Sequence, residues 1–402
     1  MKNNNCKQTN KEFWLVILLG ALTAFDPLTI DMYLPAFINM QNDLKTSISS
    51  IELSVSLFFI GMALGQLVYG PLSDKYGRKN PLLGGMFLYF LATIGCALAN
   101  HISHFIVFRI LQAFGGCASM VISRAIIRDL FEKRQIAIIL SNMALVMGIA
   151  PIVAPSIGAF INQFFGWRFI FYFLALANFL CIILIILFLP ETNFHKNNTL
   201  SLKAVTLKYF HFIREREFIG YLIPDVAVRA GMFAYIAGSP FVFIELFHLN
   251  QKEYGMVFGL NGLGLLIAAQ INKLLLKKFS PESICSLSIK IASLSSMSVL
   301  FFSIIYCSII GIFISLFVFI SSLNFISPNS IAIVLSQQNQ HAGSASAFYG
   351  CFQWSAAFFT SLLVSSFHNG SAIPMTATIF LCGLVSLIGF QFLIQFRKLN
   401  YL

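Results

Sequence analysis

GPLSDKYGRK, residues Gly70–Lys79, separates two long apolar runs, LFFIGMALGQLVY before it and PLLGGMFLYFLA after it. The segment holds three cations and one carboxylate, Asp74. The core of a soluble protein would not hold that much charge between two such runs, because buried charge is costly unless it is paired. A short loop at a membrane surface would hold it. The segment therefore predicts a polar turn between two membrane-spanning segments.

The composition supports a membrane protein. Apolar residues make up 58% of the 402 residues and charged residues only 10%, whereas soluble domains carry about 25% charged residues. An α-helix needs roughly 20 apolar residues to cross a bilayer. Twelve runs approach or exceed that length, so we predict an all-α polytopic membrane protein with twelve transmembrane helices. The predicted spans lie near 13–37, 51–70, 81–99, 103–124, 136–160, 168–190, 218–246, 253–275, 283–304, 307–330, 342–366 and 374–396.

The net charge of +11 reflects membrane topology. With the N-terminus inside, 20 of the 26 Lys and Arg residues fall in inner segments and three in outer loops. Cytoplasmic loops of membrane proteins carry such an excess of cations. We therefore expect both termini to be cytoplasmic, in a bacterial inner membrane, and we expect no nucleic-acid partner.

Two groups of six spans divide the chain. We predict an N-terminal six-helix bundle (1–195), a cytoplasmic linker (196–217) and a C-terminal six-helix bundle (218–402). The linker is either a plain connection or a helix lying along the inner leaflet. We find no phosphate-binding loop, so uphill transport would need an ion gradient. No cofactor is expected, and the eight scattered cysteines are interpreted as packing residues. No enzyme-like cluster of His, Asp and Ser is apparent.

Charged residues inside spans are costly and usually functional. The first span contains Asp26 and Asp31, and the fourth contains Arg109. Asp31 and Arg109 fall at comparable depth, so a pair between neighbouring helices is feasible. This pair is either a static ion pair or a proton-coupling site in which Asp31 carries the proton. Asp26 is a second candidate, and Pro27 is expected to bend the span there.

Two further groups of residues are candidates. Span 7 carries Asp225 and Arg229 on one helix face, which predicts either mutual neutralisation or a role in a substrate cavity. Span 5 reads GIAPIVAPSIG, and its Gly and Pro residues predict a kinked, closely packed helix that is either structural or part of a gate: Gly148, Pro151, Pro155 and Gly158. The residues Tyr33, Gln112 and Tyr235 are added to Asp225 and Arg229 as candidates for the cavity lining.

Three of these motifs together resemble the major facilitator superfamily of secondary transporters. GPLSDKYGRK is similar to its loop 2–3 signature, FRILQAFGG to its span 4 signature and GIAPIVAPSIG to its antiporter signature. Other stretches resemble the bicyclomycin/chloramphenicol-resistance (Bcr/CflA) branch of drug–proton antiporters. They run from span 1 to span 11: IDMYLPAF, LGQLVYGPLSDKYGRK, SRAIIRDLF, GWRFIFYF, LPET, AYIAGSPFVFIE and AGSASAFYG.

The resemblance implies two six-helix bundles around a cavity that opens alternately to each side, and outward flow of drug-like compounds in exchange for protons. It also implies a conformational latch in the loop motif, with Asp74 near the start of the helix at Gly343 and Arg78 paired with Asp129. The latch motif comprises Gly70, Asp74, Gly77 and Arg78. Asp26 and the R-x-x-Q-A of span 4 depart from the expected pattern.

We therefore expect a proton-coupled exporter of small drug-like or amphiphilic compounds, acting as a monomer in contact with membrane lipid. The alternative is a proton-coupled exporter or importer of one native metabolite on the same fold. A polytopic membrane enzyme or a passive channel is the hypothesis from a different class.

Overall fold

The computed structural model describes residues 2–131, 133–193, 214–306, 308–336 and 342–395, and the regular structure in this part is entirely helical. Thirteen α-helices follow one another there: α1 Lys2–Asp31, α2 Phe37–Asp43, α3 Ile48–Tyr76, α4 Lys79–Leu98, α5 Ile102–Leu130, α6 Lys133–Phe165, α7 Trp167–Phe188, α8 Arg216–Pro240, α9 Gln251–Leu275, α10 Pro281–Phe301, α11 Ile309–Ser336, α12 Ala342–Ser366 and α13 Ile373–Phe390. Short 3-10 or π segments extend some of them: Leu34–Ala36, Phe241–Leu246, Phe302–Tyr306 and Gln391–Gln395.

Ten of the described segments are long and apolar enough to cross a membrane. The other two predicted spans fall within α6 and α12, which are 33 and 25 residues long. All helices except α2 therefore match a predicted span, and the predicted all-α polytopic fold class is confirmed.

The motif that was predicted to be a turn is mostly helical. Helix α3 continues through Gly70 to Tyr76, and α4 begins at Lys79. The turn therefore consists of Gly77 and Arg78 alone. Gly77 has φ +93°, a conformation that side-chain-bearing residues rarely adopt. The prediction of a ten-residue loop was wrong, because the polar residues before Gly77 lie on the last turns of a helix.

The first predicted span is interrupted after Asp31, close to a second proline, Pro35, and the bend expected at Pro27 stays a prediction. Pro27 lies inside α1, which runs unbroken to Asp31. The chain then makes a turn at Met32 and Tyr33 and enters the 3-10 segment, which has Pro35 near its start. Pro35 lacks an amide donor and disfavours helical geometry in the preceding residue. Asp31 is therefore the last residue of a long helix.

The chain separates into two compact units, Met1–Leu44 with Leu57–Leu200, and Lys45–Ser56 with Ser201–Leu402. In the first unit α4 packs against α5 and α7, and α1 packs against α6. In the second unit α10 packs against α11 and α13, and α8 packs against α12 and α13. Most of the predicted linker, residues 196–217, lies outside the described residues.

Candidate functional site

Arg109 of α5 is fully buried inside the first unit. Its Nη1 donates hydrogen bonds to the side-chain oxygen of Gln112 (2.7 Å) and to the carbonyl oxygen of Thr29 (3.2 Å). The guanidinium carbon lies 4.4 Å from the ring centre of Tyr33 and 4.3 Å from that of Phe58. Its Nε and Nη2 donate no hydrogen bond. The cation is therefore held by aromatic faces and two acceptors, and it keeps two donors unused.

Asp31 ends α1 with its side chain buried. Its Oδ1 accepts no hydrogen bond, and no ion pair joins it to Arg109 among the described residues. The pairing that the sequence made feasible is thus not formed in this conformation. A carboxyl group and a guanidinium group in the same unit both retain hydrogen-bonding capacity that the protein does not use.

Asp26 is also buried, and its Oδ2 accepts no hydrogen bond. It lies beside α5, since a Cβ built on Gly116 would come within 3.7 Å of its Oδ1. One turn further along α1, the hydroxyl group of Thr29 hydrogen-bonds that of Tyr89 at 2.6 Å. The first helix therefore carries two buried carboxyl groups, and neither forms an ion pair in the described part.

The glycine at the end of the antiporter motif marks a close approach of two helices. A Cβ on Gly158 would collide with the carbonyl oxygen of Met32, the residue after Asp31. Pro155 is buried in the same helix, α6. Helix α6 runs without interruption from Lys133 to Phe165, and the surroundings of Gly148 and Pro151 lie outside the described part, so the kink stays a prediction. The motif thus seats α6 directly against the break that follows Asp31.

At the turn between α3 and α4, Arg78 joins several acceptors. Its Nη1 donates to Asp74 at 2.5 Å and to the hydroxyl group of Ser73 at 2.9 Å, while its Nε donates to Asp129 at 2.8 Å. Burial lowers the pKa of this guanidinium, but the hydrogen bonds to Asp129 and Asp74 outweigh that effect and raise it above its ordinary value. The structure therefore brings together the loop motif and the end of α5.

Glu191, which follows α7, closes the same turn from the other side. Its Oε1 accepts the backbone N–H of Arg78 at 2.7 Å, and its Oε2 accepts that of Lys79 at 3.3 Å. The backbone N–H groups of Thr192 (2.9 Å) and Asn193 (3.0 Å) donate to the same carboxylate. Burial raises the pKa of Glu191, but these four donors outweigh it and hold the pKa below its ordinary value. The carboxylate thus binds the first N–H groups of α4, where a helix favours negative charge.

Gly77 is required at this turn for space as well as for φ. A Cβ on Gly77 would collide with the carboxylate of Glu191. The side-chain amide of Asn193 donates to the carbonyl oxygen of Asp74 at 3.2 Å, which fastens the end of α3. The predicted approach of Asp74 to the start of α12 cannot be described, since the side chains around Gly343 lie outside the described residues.

In the second unit, Asp225 is bound mainly by α12 rather than by Arg229. Its Oδ2 accepts hydrogen bonds from the hydroxyl group of Tyr349 (2.6 Å) and the amide of Gln353 (3.0 Å). Nη2 of Arg229 lies 3.9 Å from Oδ1 of Asp225, and Arg229 donates a hydrogen bond to Ser327 instead. The predicted mutual neutralisation on one helix face is therefore a loose contact.

The other candidates for the cavity lining are tightly packed. Tyr33, Gln112 and Tyr235 are at most 2% exposed. Gln112 donates to Thr93 at 2.8 Å, and Tyr235 accepts a hydrogen bond from Asn261 at 3.0 Å. Each side chain is engaged within its own unit, so none of the three presents an open surface to a substrate in this conformation.

The sequence analysis did not select several residues that the structure makes prominent: Glu52, Glu191, Tyr349 and Gln353. Glu52 could have been found, because it is a lone acid in the apolar run ISSIELSVSLFF. Glu191 stood in LPET, but nothing in its local sequence indicates that it binds a turn more than 110 residues away. Tyr349 and Gln353 could not be selected from the sequence, because only the packing of α12 against α8 brings them to Asp225.

Membrane-length helices with buried ionisable groups and a cation-rich turn define a polytopic transporter. The chain matches the family model of the Major Facilitator Superfamily over residues 19–361. It is 31% identical to the uncharacterized MFS-type transporter YdgK of Bacillus subtilis, over 94% of each chain. It is 30% identical to a bicyclomycin resistance protein homolog of Haemophilus influenzae, over 96% of this chain and 97% of that one.

Solved structures share the fold. A D-xylose–proton symporter has a TM-score of 0.73 at 17% identity, over 96% of this chain and 98% of that one. The nucleoside transporter NupG, in a mutant form, also has a TM-score of 0.73, at 13% identity and over 95% and 99% of the two chains.

The chain therefore belongs to the Major Facilitator Superfamily, in its bicyclomycin/chloramphenicol-resistance branch. It is a multi-pass membrane transporter of small molecules and not an enzyme. Both the superfamily and the branch that the motifs resembled are confirmed.

Proposed function

We propose that this protein exports small drug-like or amphiphilic compounds across a bacterial inner membrane in exchange for protons. The names of two relatives support the substrate class: a bicyclomycin resistance protein homolog and a chloramphenicol resistance protein of Pseudomonas aeruginosa, which is 29% identical over 67% of this chain. In this proposal the protein works by alternating access as a monomer in the lipid bilayer, with both termini cytoplasmic and the proton gradient as its energy source.

The observation that carries the proposal is the unpartnered carboxyl group of Asp31. Its Oδ1 is buried and accepts no hydrogen bond. An ionised carboxylate in such a place costs far more free energy than a neutral carboxyl group. In this conformation Asp31 is therefore more stable with a bound proton. Water or a cation must reach the carboxyl group before it releases that proton.

Arg109 supplies a cation for the deprotonated state. Two of its nitrogens donate no hydrogen bond while it lies between the rings of Tyr33 and Phe58. Once Asp31 is ionised, a shift of α1 or α5 that brings these groups together stabilises both charges. Gly158 brings α6 against the backbone of Met32, next to Asp31. A movement of α6 therefore changes the position of the Asp31 carboxyl group. Binding of the proton and binding of the substrate then exclude one another.

The Asp74–Arg78–Asp129 cluster is the latch of this cycle in our proposal. Its hydrogen bonds fasten the inner ends of α3 and α5, so a change of conformation that separates them must break charge-assisted contacts. Such contacts favour discrete states over a continuous range of intermediate ones.

The proton gradient supplies enough free energy to drive this export. One charge that crosses 100 mV releases about 2.3 kcal/mol. Because about 1.4 kcal/mol corresponds to a tenfold ratio, one proton per substrate supports a concentration gradient of roughly fifty-fold.

The test uses everted membrane vesicles with internal pH recorded while a drug-like substrate is added. We expect Asp31→Asn to abolish substrate-driven proton movement, because the amide cannot release a proton. Asp26→Asn is the matched control, since it changes the other buried carboxyl group of α1, and it should retain coupling. Full coupling in Asp31→Asn would refute the proposal. A response to one metabolite alone would favour the native-metabolite alternative.

A further inference from the structure

Another buried carboxyl group lies in α3, the next long helix after the two carboxyl groups of α1. Glu52 is in the second turn of α3, its side chain is 1% exposed, and neither of its carboxylate oxygens accepts a hydrogen bond. It belongs to the second compact unit, through the segment Lys45–Ser56. An ionisable side chain without a donor inside a membrane helix is costly, and such residues usually have a function.

The basic group nearest to Glu52 is an imidazole. His368 lies in the connection between α12 and α13, and its Nδ1 is 3.7 Å from Oε2 of Glu52. The ring packs edge-on against that of Phe241, with centroids 4.3 Å apart, so its position is defined. Burial lowers the pKa of His368 below its ordinary value, although the charge of Glu245 partly opposes this. The imidazole is therefore mainly neutral near pH 7, and its nitrogen can accept a proton or a hydrogen bond.

Glu245, in the π segment that continues α8, is the remaining charged group of this cluster. Its charge acts on both Glu52 and His368. Exposure falls stepwise through the three residues, since Glu245 is exposed, His368 is half-buried and Glu52 is buried. All three lie at helix ends that the predicted topology places outside. The cluster thus leads from the surface to a buried carboxylate.

We propose that Glu52 is a proton-binding site that is filled from the outer side through His368, separately from the carboxyl groups of α1. The imidazole binds a proton from water and transfers a proton from Nδ1 to Oε2 of Glu52. The imidazole ends neutral and Glu52 becomes a neutral carboxylic acid; release follows the reverse path. No oxidant or other reactant is needed.

Protonation changes the packing of the outer end of α3. A neutral carboxyl group can donate to the imidazole after a shift of about 1 Å or less from the present 3.7 Å, because a hydrogen bond of this kind needs about 2.7–3.0 Å. An ionised carboxylate beside a neutral imidazole leaves a bare charge buried. At acidic outer pH, the hydrogen bond from Glu52 to His368 thus holds segment 45–56 against the connection between α12 and α13. The role of this site in coupling rests on the proposed antiport function, but proton binding itself does not.

The test is pH-difference infrared spectroscopy on purified full-length protein in lipid nanodiscs, without substrate. When the pH is raised from acid to alkaline, the wild type should lose the carbonyl bands of its buried protonated carboxyl groups, among them one band that Asp26→Asn and Asp31→Asn both retain. Glu52→Gln should lack that band, and Glu217→Gln, which alters an exposed carboxylate of α8, should retain it. His368→Asn should retain the band but slow its appearance after a pH jump by about tenfold or more, since the relay is removed.

Two results would overturn the proposal: the band persists in Glu52→Gln, or His368→Asn responds at the wild-type rate. His368→Asn keeps the proposal testable if Glu52→Gln does not fold. This variant leaves Glu52 intact and changes a residue in the connection between two helices. Neither measurement needs transport, so a failure of this site and a failure of antiport at Asp31 are separate outcomes.

Discussion

Arg78 and Arg109 are both buried arginines of the first unit, but their surroundings differ. Arg78 donates to Ser73 and to two carboxylates, Asp74 and Asp129. Arg109 donates to one amide oxygen and one backbone carbonyl group and leaves two nitrogens without partners. The hydrogen bonds of Arg78 go to carboxylates that balance its charge, whereas Arg109 has no carboxylate partner among the described residues.

The two arginines therefore illustrate two roles of buried charge: one stabilises the fold, and the other takes part in transport. Charge-assisted hydrogen bonds hold the turn between α3 and α4 in one geometry. An unpaired cation and an unpaired acid in the membrane cost free energy that stability alone does not explain. The unsatisfied groups of α1 and α5 are therefore the ones whose partners change during transport, in our interpretation.

The largest expected effect comes from replacing each arginine by methionine. Arg78→Met leaves two carboxylates without their cation and should destabilise the protein by about 3 kcal/mol. Arg109→Met removes a poorly satisfied charge, so it should change stability by about 1 kcal/mol or less while abolishing proton-coupled transport. Thermal unfolding in detergent, followed by size-exclusion chromatography, measures the first quantity, and the vesicle assay measures the second.

Arg78→Lys is the control for this comparison. Lysine keeps the positive charge but cannot present two nitrogens in the fixed fork of a guanidinium group. The stability of Arg78→Lys should lie between those of the wild type and Arg78→Met. Equal loss of stability in Arg78→Met and Arg109→Met would contradict the distinction between the two regions.

The packing of α6 against the break in α1 gives a smaller effect. Gly158→Ala places a methyl group on the carbonyl oxygen of Met32, and backbone atoms cannot move aside as a side chain can. We expect a loss of about 1–3 kcal/mol and impaired transport, measured by the same two assays. Gly84→Ala in α4 is the matched control, since nothing lies within 4 Å of its Cβ, and it should be tolerated. A fully active and stable Gly158→Ala would show that this approach is not needed.

The smallest effect concerns Glu191. Glu191→Gln removes the charge that four backbone donors stabilise, and because the side chain is partly solvated we expect a loss of about 1 kcal/mol at neutral pH. The folded-state pKa is below the ordinary value of about 4.3. The contribution is therefore present above that pH and is lost as pH falls through the folded-state pKa. The stability difference between wild type and variant, measured across this range, should shrink below about pH 4. A difference that stays constant with pH would mean that charge is not the cause.

Asp225 of the second unit lies between these two extremes. One of its oxygens accepts from Tyr349 and Gln353, and the other accepts no hydrogen bond, with Arg229 only loosely paired. The two units thus differ in how they hold charge within the membrane.

The sequence predicted the fold because length and hydropathy alone select membrane helices. It also selected Asp26, Asp31 and Arg109, since charge in an apolar run is visible by itself. It was wrong about the extent of the turn at Gly77. The error has a physical cause: polar residues are compatible with the end of a helix when neighbouring segments satisfy the backbone, and those neighbours are distant in sequence.

The amino-acid sequence by itself determined that this protein spans the membrane, that it belongs to a family of transporters, and that Asp26, Asp31 and Arg109 lie within apolar spans. Only the tertiary structure decided which of these charges have partners. Glu191 reaches the turn before α4, His368 reaches Glu52, and Tyr349 reaches Asp225 across more than 100 residues of chain. The physical reason is that hydropathy acts residue by residue, whereas a hydrogen bond requires two groups that only the packing of helices brings together.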